Sequence, residues 1–426
     1  MSAIRYRDFP RTVKLRIGIK FITGVTSAMI TPFLAVYFAG RVGEGLTAIM
    51  FMTVIVAGVA GGLIGGVWAD RVGRKRLMVI ADVMVLMTYL LIAVANSPWM
   101  DSPYLTFFLF IPNMFGIGLF GPASQAMIVD VSEPASRPHI YAALYWSNNL
   151  AMAAGGLAGG FLFADYSFIL FLAVAFATLL SLVVTILFID ETHQPTSIPA
   201  SNFQKRKSPQ RTGFFAEYVI AVQDQRFMLY ILATIILLTL EHQLTNYIGV
   251  RLSQEMKEQV LVPWIPFSPE VDGIRMLGIL KTENTLLVVL GGLFATAWLR
   301  RFQKSYLLFG GISLFTAGTM AMGVTSTSWL LLLSMFVLTI GELMYAPIKQ
   351  TMLADLAPAH ARSTYFAMSH LAEYGAMIIA AACISLGSFV ASAMMAFLYL
   401  VGGVICIWAM RKISPVPSKK SAKTTA

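Results

Sequence analysis

The chain has 426 residues, 57% of hydrophobic type and only 12% charged, with a mean hydropathy of +0.73. Soluble chains run near half apolar and a quarter charged, so this balance excludes a disordered protein and argues against a water-soluble enzyme. A polytopic membrane protein remains: about twenty apolar residues cross a bilayer, so twelve spans use about 240 residues and leave the rest for loops, one linker and two tails.

The opening, MSAIRYRDFPRTVKLRIG, is basic, but the apolar stretch behind it is too long for a signal peptide and lacks a small-residue cleavage site, so a retained first span is expected. Uncharged apolar runs place six spans at residues 15–38, 46–69, 77–95, 105–129, 140–163 and 168–189. Six more follow at 228–250, 276–299, 306–324, 329–346, 365–386 and 389–410. The expected organisation is an N-terminal six-helix half (1–190), a linker rich in Pro, Ser and basic residues (191–226), a C-terminal six-helix half (227–413) and a basic tail (414–426). In the linker, residues 214–222 could form a short interfacial helix or simply be solvated. The long loop at 253–273 carries VLVPWIPF between charged flanks, which suits a lid over a mouth or a packed plug.

The net charge of +10 suggests nucleic acid until the cations are placed. Twenty-four of the 31 lysines and arginines fall in loops and tails on one side, and Arg41, Arg251, Lys257 and Arg275 on the other; Lys20, Lys281 and Lys349 lie within or at the edge of spans. That bias puts both termini in the cytoplasm and gives the basic residues membrane lipid, not nucleic acid, as partner. Cys383 and Cys406 both sit in apolar runs, so neither a disulfide framework nor a metal site of cysteine pairs is available. No phosphate-binding loop, nucleophile elbow or cofactor fingerprint is present in the sequence, so no cofactor is expected and an enzyme is the weakest reading.

After the second span comes Gly66-Val67-Trp68-Ala69-Asp70-Arg71-Val72-Gly73-Arg74-Lys75-Arg76. Asp70 ends a span where a carboxylate can face another helix's positive N-terminus, while the arginines meet carboxylates or lipid phosphates. This stretch resembles the loop G-x-x-x-D-R-x-G-R-[RK]-[RK] of the major facilitator superfamily. The resemblance implies an all-α fold of twelve transmembrane helices in two halves, and a conformational latch of Gly66, Asp70, Arg71, Gly73 and Arg74, with Asp130 and Arg137 as the pair placed beside it. The corresponding second-half loop, Leu299-Arg300-Arg301-Phe302-Gln303-Lys304, keeps the charge and lacks the Asp and Gly.

Gly155-Gly156-Leu157-Ala158-Gly159-Gly160 in span five resembles the antiporter signature G-P-x-x-G-G, with Gly156 where proline is expected, and its spacing also suits close helix packing. Over nearly the whole chain the sequence is similar to LmrP-type multidrug:proton antiporters. That similarity rests on Leu15-Arg16-Ile17-Gly18-Ile19, Ala126-Met127-Ile128-Val129-Asp130, Tyr145-Trp146-Ser147-Asn148-Asn149 and Gly341-Glu342-Leu343-Met344-Tyr345-Ala346-Pro347. Two acids of that family, in spans five and seven, have Leu144 and Thr245 in their places, and the span-four arginine of drug antiporters is replaced around Pro112-Asn113.

Ionisable residues inside spans are costly and tend to line cavities or have partners. Glu342, deep in span ten, is the first choice for proton carrier. Glu241, one turn from Thr245, could supply the acid that Thr245 lacks, and His370 with Glu373 three residues on could form a titrating pair or a packing pair. Lys281 and Glu283 point different ways, and Asp82 and Lys20 are close enough to a cytoplasmic end to snorkel. Asn113, Tyr145, Trp146, Asn149, Asn246 and Tyr345 suit an amphipathic ligand, with 24 Met and 29 Phe to adapt to it. The expected function is proton-coupled efflux of hydrophobic or amphipathic drugs by a monomer in a bacterial cytoplasmic membrane. Alternatives are a flippase for lipid or a lipid-linked precursor, a dedicated metabolite exporter and, behind these, a non-transporting sensor.

Overall fold

The structure is a computed structural model that describes residues 9–133, 136–192, 221–299, 302–356, 358 and 362–413. The tail at 414–426, residues 1–8 and most of the linker lie outside the described residues. The helices are α1 (Arg11–Ala28), α2 (Leu34–Val42), α3 (Glu44–Val72), α4 (Arg74–Ala95), α5 (Pro103–Asp130) and α6 (Arg137–Phe188). They continue with α7 (Gln225–His242), α8 (Tyr247–Glu255), α9 (Gly273–Leu299), α10 (Lys304–Val324), α11 (Ser328–Leu356), α12 (Arg362–Gly387) and α13 (Ser392–Ile413). Two short hairpins, β1 (Asn96–Ser97) with β2 (Met100–Asp101) and β3 (Gln259–Val260) with β4 (Glu270–Val271), join helices at one end of the bundle.

Among the described residues nine helical segments are long and apolar enough to cross a membrane, and one of them must be counted twice. The 52 residues of α6 would run about 78 Å as one rod, more than twice a hydrocarbon core. The chain breaks it at Tyr166, whose φ of −126° and ψ of 28° leave the helical region, and the break falls between the two spans expected at 140–163 and 168–189. Span one is interrupted as well: α1 gives way to a 3-10 turn at Thr31–Phe33, where Pro32 removes a backbone donor, before α2 resumes. Span seven breaks in the corresponding place, at the 3-10 turn Gln243–Thr245 and Asn246. No proline acts there. Instead the Gln243 and Asn246 amides donate to Thr239 O at 3.2 Å and His242 O at 2.7 Å, taking carbonyls that a continuing helix would use. Span ten, expected at 329–346, runs on through Pro347 to Leu356 in α11.

In residues 9–192, α1 packs on α6, α3 on α5, and α4 on both α5 and α6. In residues 221–413, α10 packs on α11 and α13, α7 on α12 and α13, and α9 on α11. The two groups meet along α6 with α9 and α3 with α12. They also meet at the end of the bundle that carries α2 and α8, where Ala35, Ala39, Ala48, Val250 and Ile384 form a buried apolar cluster. There Gln254 donates from Nε2 to Glu44 Oε1 at 3.0 Å.

Candidate functional site

The four glycines of span five serve two different contacts. A Cβ at Gly155 would run into Val25 O and Ala28 of α1, and one at Gly159 into Met29 and Phe33, so this pair seats α6 on its own half. Gly156 and Gly160 face the other half. A Cβ at Gly160 would lie 2.9 Å from Gly278 Cα of α9, and one at Gly278 would lie 2.7 Å from Gly156 O. Beside them Thr282 of α9 donates to Ala153 O at 3.1 Å, and the stem of Lys281 lies against Gly156. Asn149 and Tyr145 stand seven and eleven residues before Gly156, hence on the same stripe of the helix. Where α9 covers that stripe it is glycine. Nearer the helix start Tyr145 and Trp146 are exposed, and Asn149 is half-buried, donating to Tyr145 O at 2.8 Å.

Across that stripe the second half gathers its charge around the broken span seven. Glu342 of α11 accepts a hydrogen bond from Asn284 of α9 at 3.1 Å, and the same amide donates to Thr339 Oγ1 at 3.1 Å. Glu241, Lys281 and Lys349 act electrostatically on Glu342. Glu373 acts on Lys349 and, with Glu241 and Lys281, on His242. Four helices, α7, α9, α11 and α12, therefore bring three carboxylates, two lysines and a histidine to one region. Glu342 is half-buried, whereas Glu241 and Glu373 are exposed. Like charges on Glu241 and Glu342 repel and the lysines offset that repulsion, so a single bound proton or cation changes the balance of the whole group. Lys281 lies inside α9, within the span expected at 276–299, and its place beside Gly156 links the group to the seam between halves. Glu283, two residues on, does not join it, and its Oε2 is buried with no hydrogen-bond partner among the described residues.

The first half concentrates its bonds at the turn between α3 and α4. Gly73 has φ of 104°, the left-handed region that glycine enters without strain, and a Cβ there would lie 2.6 Å from Glu191 Oε2. The Glu191 carboxylate instead accepts from the backbone N–H of Arg74 at 2.9 Å and of Arg76 at 3.4 Å, which seats an anion on the N-terminus of α4. Arg74 forms an ion pair with Asp130 and donates to Ala126 O at 2.9 Å, and Thr192 Oγ1 donates to Asp130 at 2.9 Å. The pair drawn from the sequence, Asp130 with Arg137, is thus replaced by Asp130 with Arg74. Arg137 donates to Val129 O at 3.2 Å and Ser132 Oγ at 3.4 Å, closing its own short loop. Arg71 and Gly66 are exposed, and the side chains of Asp70 and His370 lie outside the described residues.

A second buried charge network lies in the same half. Asp82, expected to snorkel, is buried because α4 is packed on both α5 and α6, and it accepts from Ser181 Oγ of α6 at 2.9 Å. Arg16 of α1, 4% exposed, donates to Ser124 Oγ at 2.6 Å and lies over the Phe120 ring.

The six ligand candidates divide. Tyr145 and Trp146 are open and Asn149 is half-buried, whereas Asn113 is fully buried and donates to Thr88 Oγ1 at 2.8 Å. Tyr345 is buried edge-on against Phe315, and Asn246 caps the broken end of α7. Sequence reading missed Asn284, Thr339, Lys349 and Glu191. An asparagine or threonine in an apolar run gives no sign of which helix it will face, and the spacing from Glu191 to Arg74 is 117 residues.

Residues 17–268 match the model of the Major Facilitator Superfamily. A Planococcus maritimus protein named Na(+), Li(+), K(+)/H(+) antiporter is 34% identical over 376 residues, 86% of this chain and 87% of the relative. Multidrug resistance protein MdtH of Klebsiella pneumoniae subsp. pneumoniae is 25% identical over 310 residues, 73% of this chain and 69% of the relative. Among solved structures, a peptide transporter in complex with alafosfalin superimposes with a TM-score of 0.72 at 18% identity, covering 96% of each chain, a likeness of fold.

Proposed function

The chain belongs to the major facilitator superfamily, a multi-pass membrane transporter and not an enzyme, and from that premise we propose that it exports hydrophobic or amphipathic drugs in exchange for protons by alternating access. The observation that carries the proposal is Glu342, held by Asn284 in a group of three carboxylates beside the break in span seven, while Tyr145 and Trp146 stand exposed on α6 of the other half. Paired breaks in spans one and seven are where transporters of repeated architecture form their sites. A proton on Glu342 removes one negative charge from the group, and a bound organic cation meets the same group when that proton leaves, so the two compete for one state. The multidrug relatives support that substrate class. With both termini cytoplasmic, as the distribution of lysine and arginine favours, the packed contact at α2 and α8 lies at the outer end.

A second reading is favoured by the 34% identical relative, whose name gives sodium, lithium and potassium as the exchanged ions. Carboxylate oxygen, such as that of Glu342, is also the chemistry that a small hard cation takes, although among the described residues no three carboxylates converge to hold one. Everted membrane vesicles from cells lacking their own pumps separate the two. Respiration acidifies the lumen, and a pH-sensitive dye reports proton release on addition of ethidium, Hoechst 33342, NaCl or KCl. Release by the organic cations, absent in Glu342→Gln, is the expected outcome. Release by the salts alone assigns the protein to alkali-cation exchange and overturns drug export.

A further inference from the structure

The root of the long loop between α8 and α9 is fastened to the rim of the second half. Gln259 Nε2 donates to Ser326 O at 2.8 Å, the Ser328 N–H donates to Gln259 Oε1 at 3.2 Å, and Ser328 Oγ donates to Val260 O at 2.8 Å. All three bonds join the hairpin to the turn between α10 and α11. The helix before that turn, α10, packs on α11 and α13 of its own half, which leaves its other side to lipid. The tip of the loop, residues 261–269, reads LVPWIPFSP, and Trp264 is 66% exposed, Ile265 52% and Phe267 105%. Trp264 lies 5.5 Å from the ring of Trp329, the second residue of α11, at the level where a membrane helix meets the headgroups.

We propose that this tip is a membrane anchor, inserted in the bilayer leaflet on its side, the outer one under the orientation given above. Apolar side chains alone do not suit a segment for that place, since backbone polar groups carried into lipid must be satisfied internally. Here they largely are. Pro263, Pro266 and Pro269 have no N–H. Of the six N–H groups in residues 261–269, four are bonded within the tip: Leu261 to Pro269 O at 2.9 Å, Val262 to Ser268 Oγ at 3.0 Å, Ile265 to Val262 O at 3.1 Å and Ser268 to Ile265 O at 3.3 Å. Three prolines at three-residue spacing also stiffen the tip, so little chain entropy is lost when it is buried. Phe267 holds φ of 62°, a conformation that costs a non-glycine residue on the order of 1 kcal/mol, while presenting its ring wholly outward. Charge is confined to the root, where Arg275 pairs with Glu258 at 3.1 Å and Asp272 at 3.9 Å, at headgroup level. Lipid fits this surface better than a second copy of the chain because the apolar tip continues the lipid-facing rim and the aromatic pair marks its depth.

Nitroxide labels at Trp264→Cys, Ile265→Cys and Phe267→Cys, each in a Cys383→Ala, Cys406→Ala chain reconstituted in phosphatidylcholine vesicles, test the assignment, with exposed Lys257→Cys as reference. Three positions guard against one variant failing to fold. Collision with oxygen rising and collision with a water-soluble nickel complex falling at 264, 265 and 267 relative to 257 is the expected result. Nickel access equal to that at 257 places the tip in water and overturns the proposal. Protection from both reagents places protein over it, whether a second copy or the other half, and overturns it equally.

Discussion

The turn from α3 to α4 and its counterpart from α9 to α10 occupy matching places in the two halves and are built differently. The first carries Gly73 at positive φ, the Glu191 carboxylate on the α4 N-terminus and the Arg74–Asp130 ion pair. Between Leu299 and Lys304 the second has neither glycine nor aspartate. Deeper in the fold the order reverses. The second half places Glu241, Lys281, Glu342, Lys349 and Glu373 around the break in span seven, whereas the first half's buried pair, Arg16 and Asp82, is tied to Ser124 and Ser181 inside the bundle. One half fixes its own geometry at the surface and the other places chargeable groups beside a broken helix. Duplicated architecture permits this division because each half needs only its share of the cycle, provided the seam between them transmits it.

The largest loss outside the proton carrier itself is expected at Arg74→Ala. It removes the ion pair with Asp130 and the bond to Ala126 O, worth about 1.5–3 kcal/mol for hydrogen bonds to a charged group. Dye efflux from cells should fall together with the thermal midpoint of the purified protein. Arg74→Lys should restore only part of it, since one nitrogen of the planar guanidinium, Nη1, meets both acceptors from a fixed direction and a lysine is a point charge on a flexible stem. Unchanged efflux in Arg74→Ala would remove the latch from the account.

At the seam the two glycine positions should behave differently. Gly160→Ala drives a methyl into the α9 backbone at Gly278 and should cost about 1–3 kcal/mol as overpacking. Gly156→Ala meets only the Lys281 stem and Thr282 at 3.6–3.7 Å and should stay within about 0.5 kcal/mol. Transport rates read alongside thermal midpoints test this; equal effects at both sites would mean that α6 and α9 do not hold the close contact described.

The smallest effect belongs to Glu191→Gln. It keeps an acceptor for the Arg74 and Arg76 N–H groups but loses the charge on the helix N-terminus, about 0.3–1 kcal/mol. A small fall in thermal midpoint that shrinks in high salt is the expected signature.

The spans were legible because apolar length alone identifies them, and even the division of α6 was placed correctly, on either side of Tyr166. The glycine doublets were legible as packing positions. That one doublet faces α1 and the other α9 was not, since both faces show the same four-residue spacing. Asp82 misled because distance along the chain from a basic loop says nothing of which helices will surround it. Asn284 was invisible for a similar reason: its value lies in facing Glu342, 58 residues away on another helix. Charged residues in apolar runs announce themselves, but the neutral donors that orient them do so only after the helices are packed.

The most direct test of the central claim is proton release on ligand binding, measured with purified protein in weakly buffered detergent solution titrated with ethidium. Wild type should release a proton as ethidium binds, and Glu342→Gln should bind ethidium and release none. Equal release from both would contradict the assignment of Glu342 as the exchanged proton's carrier.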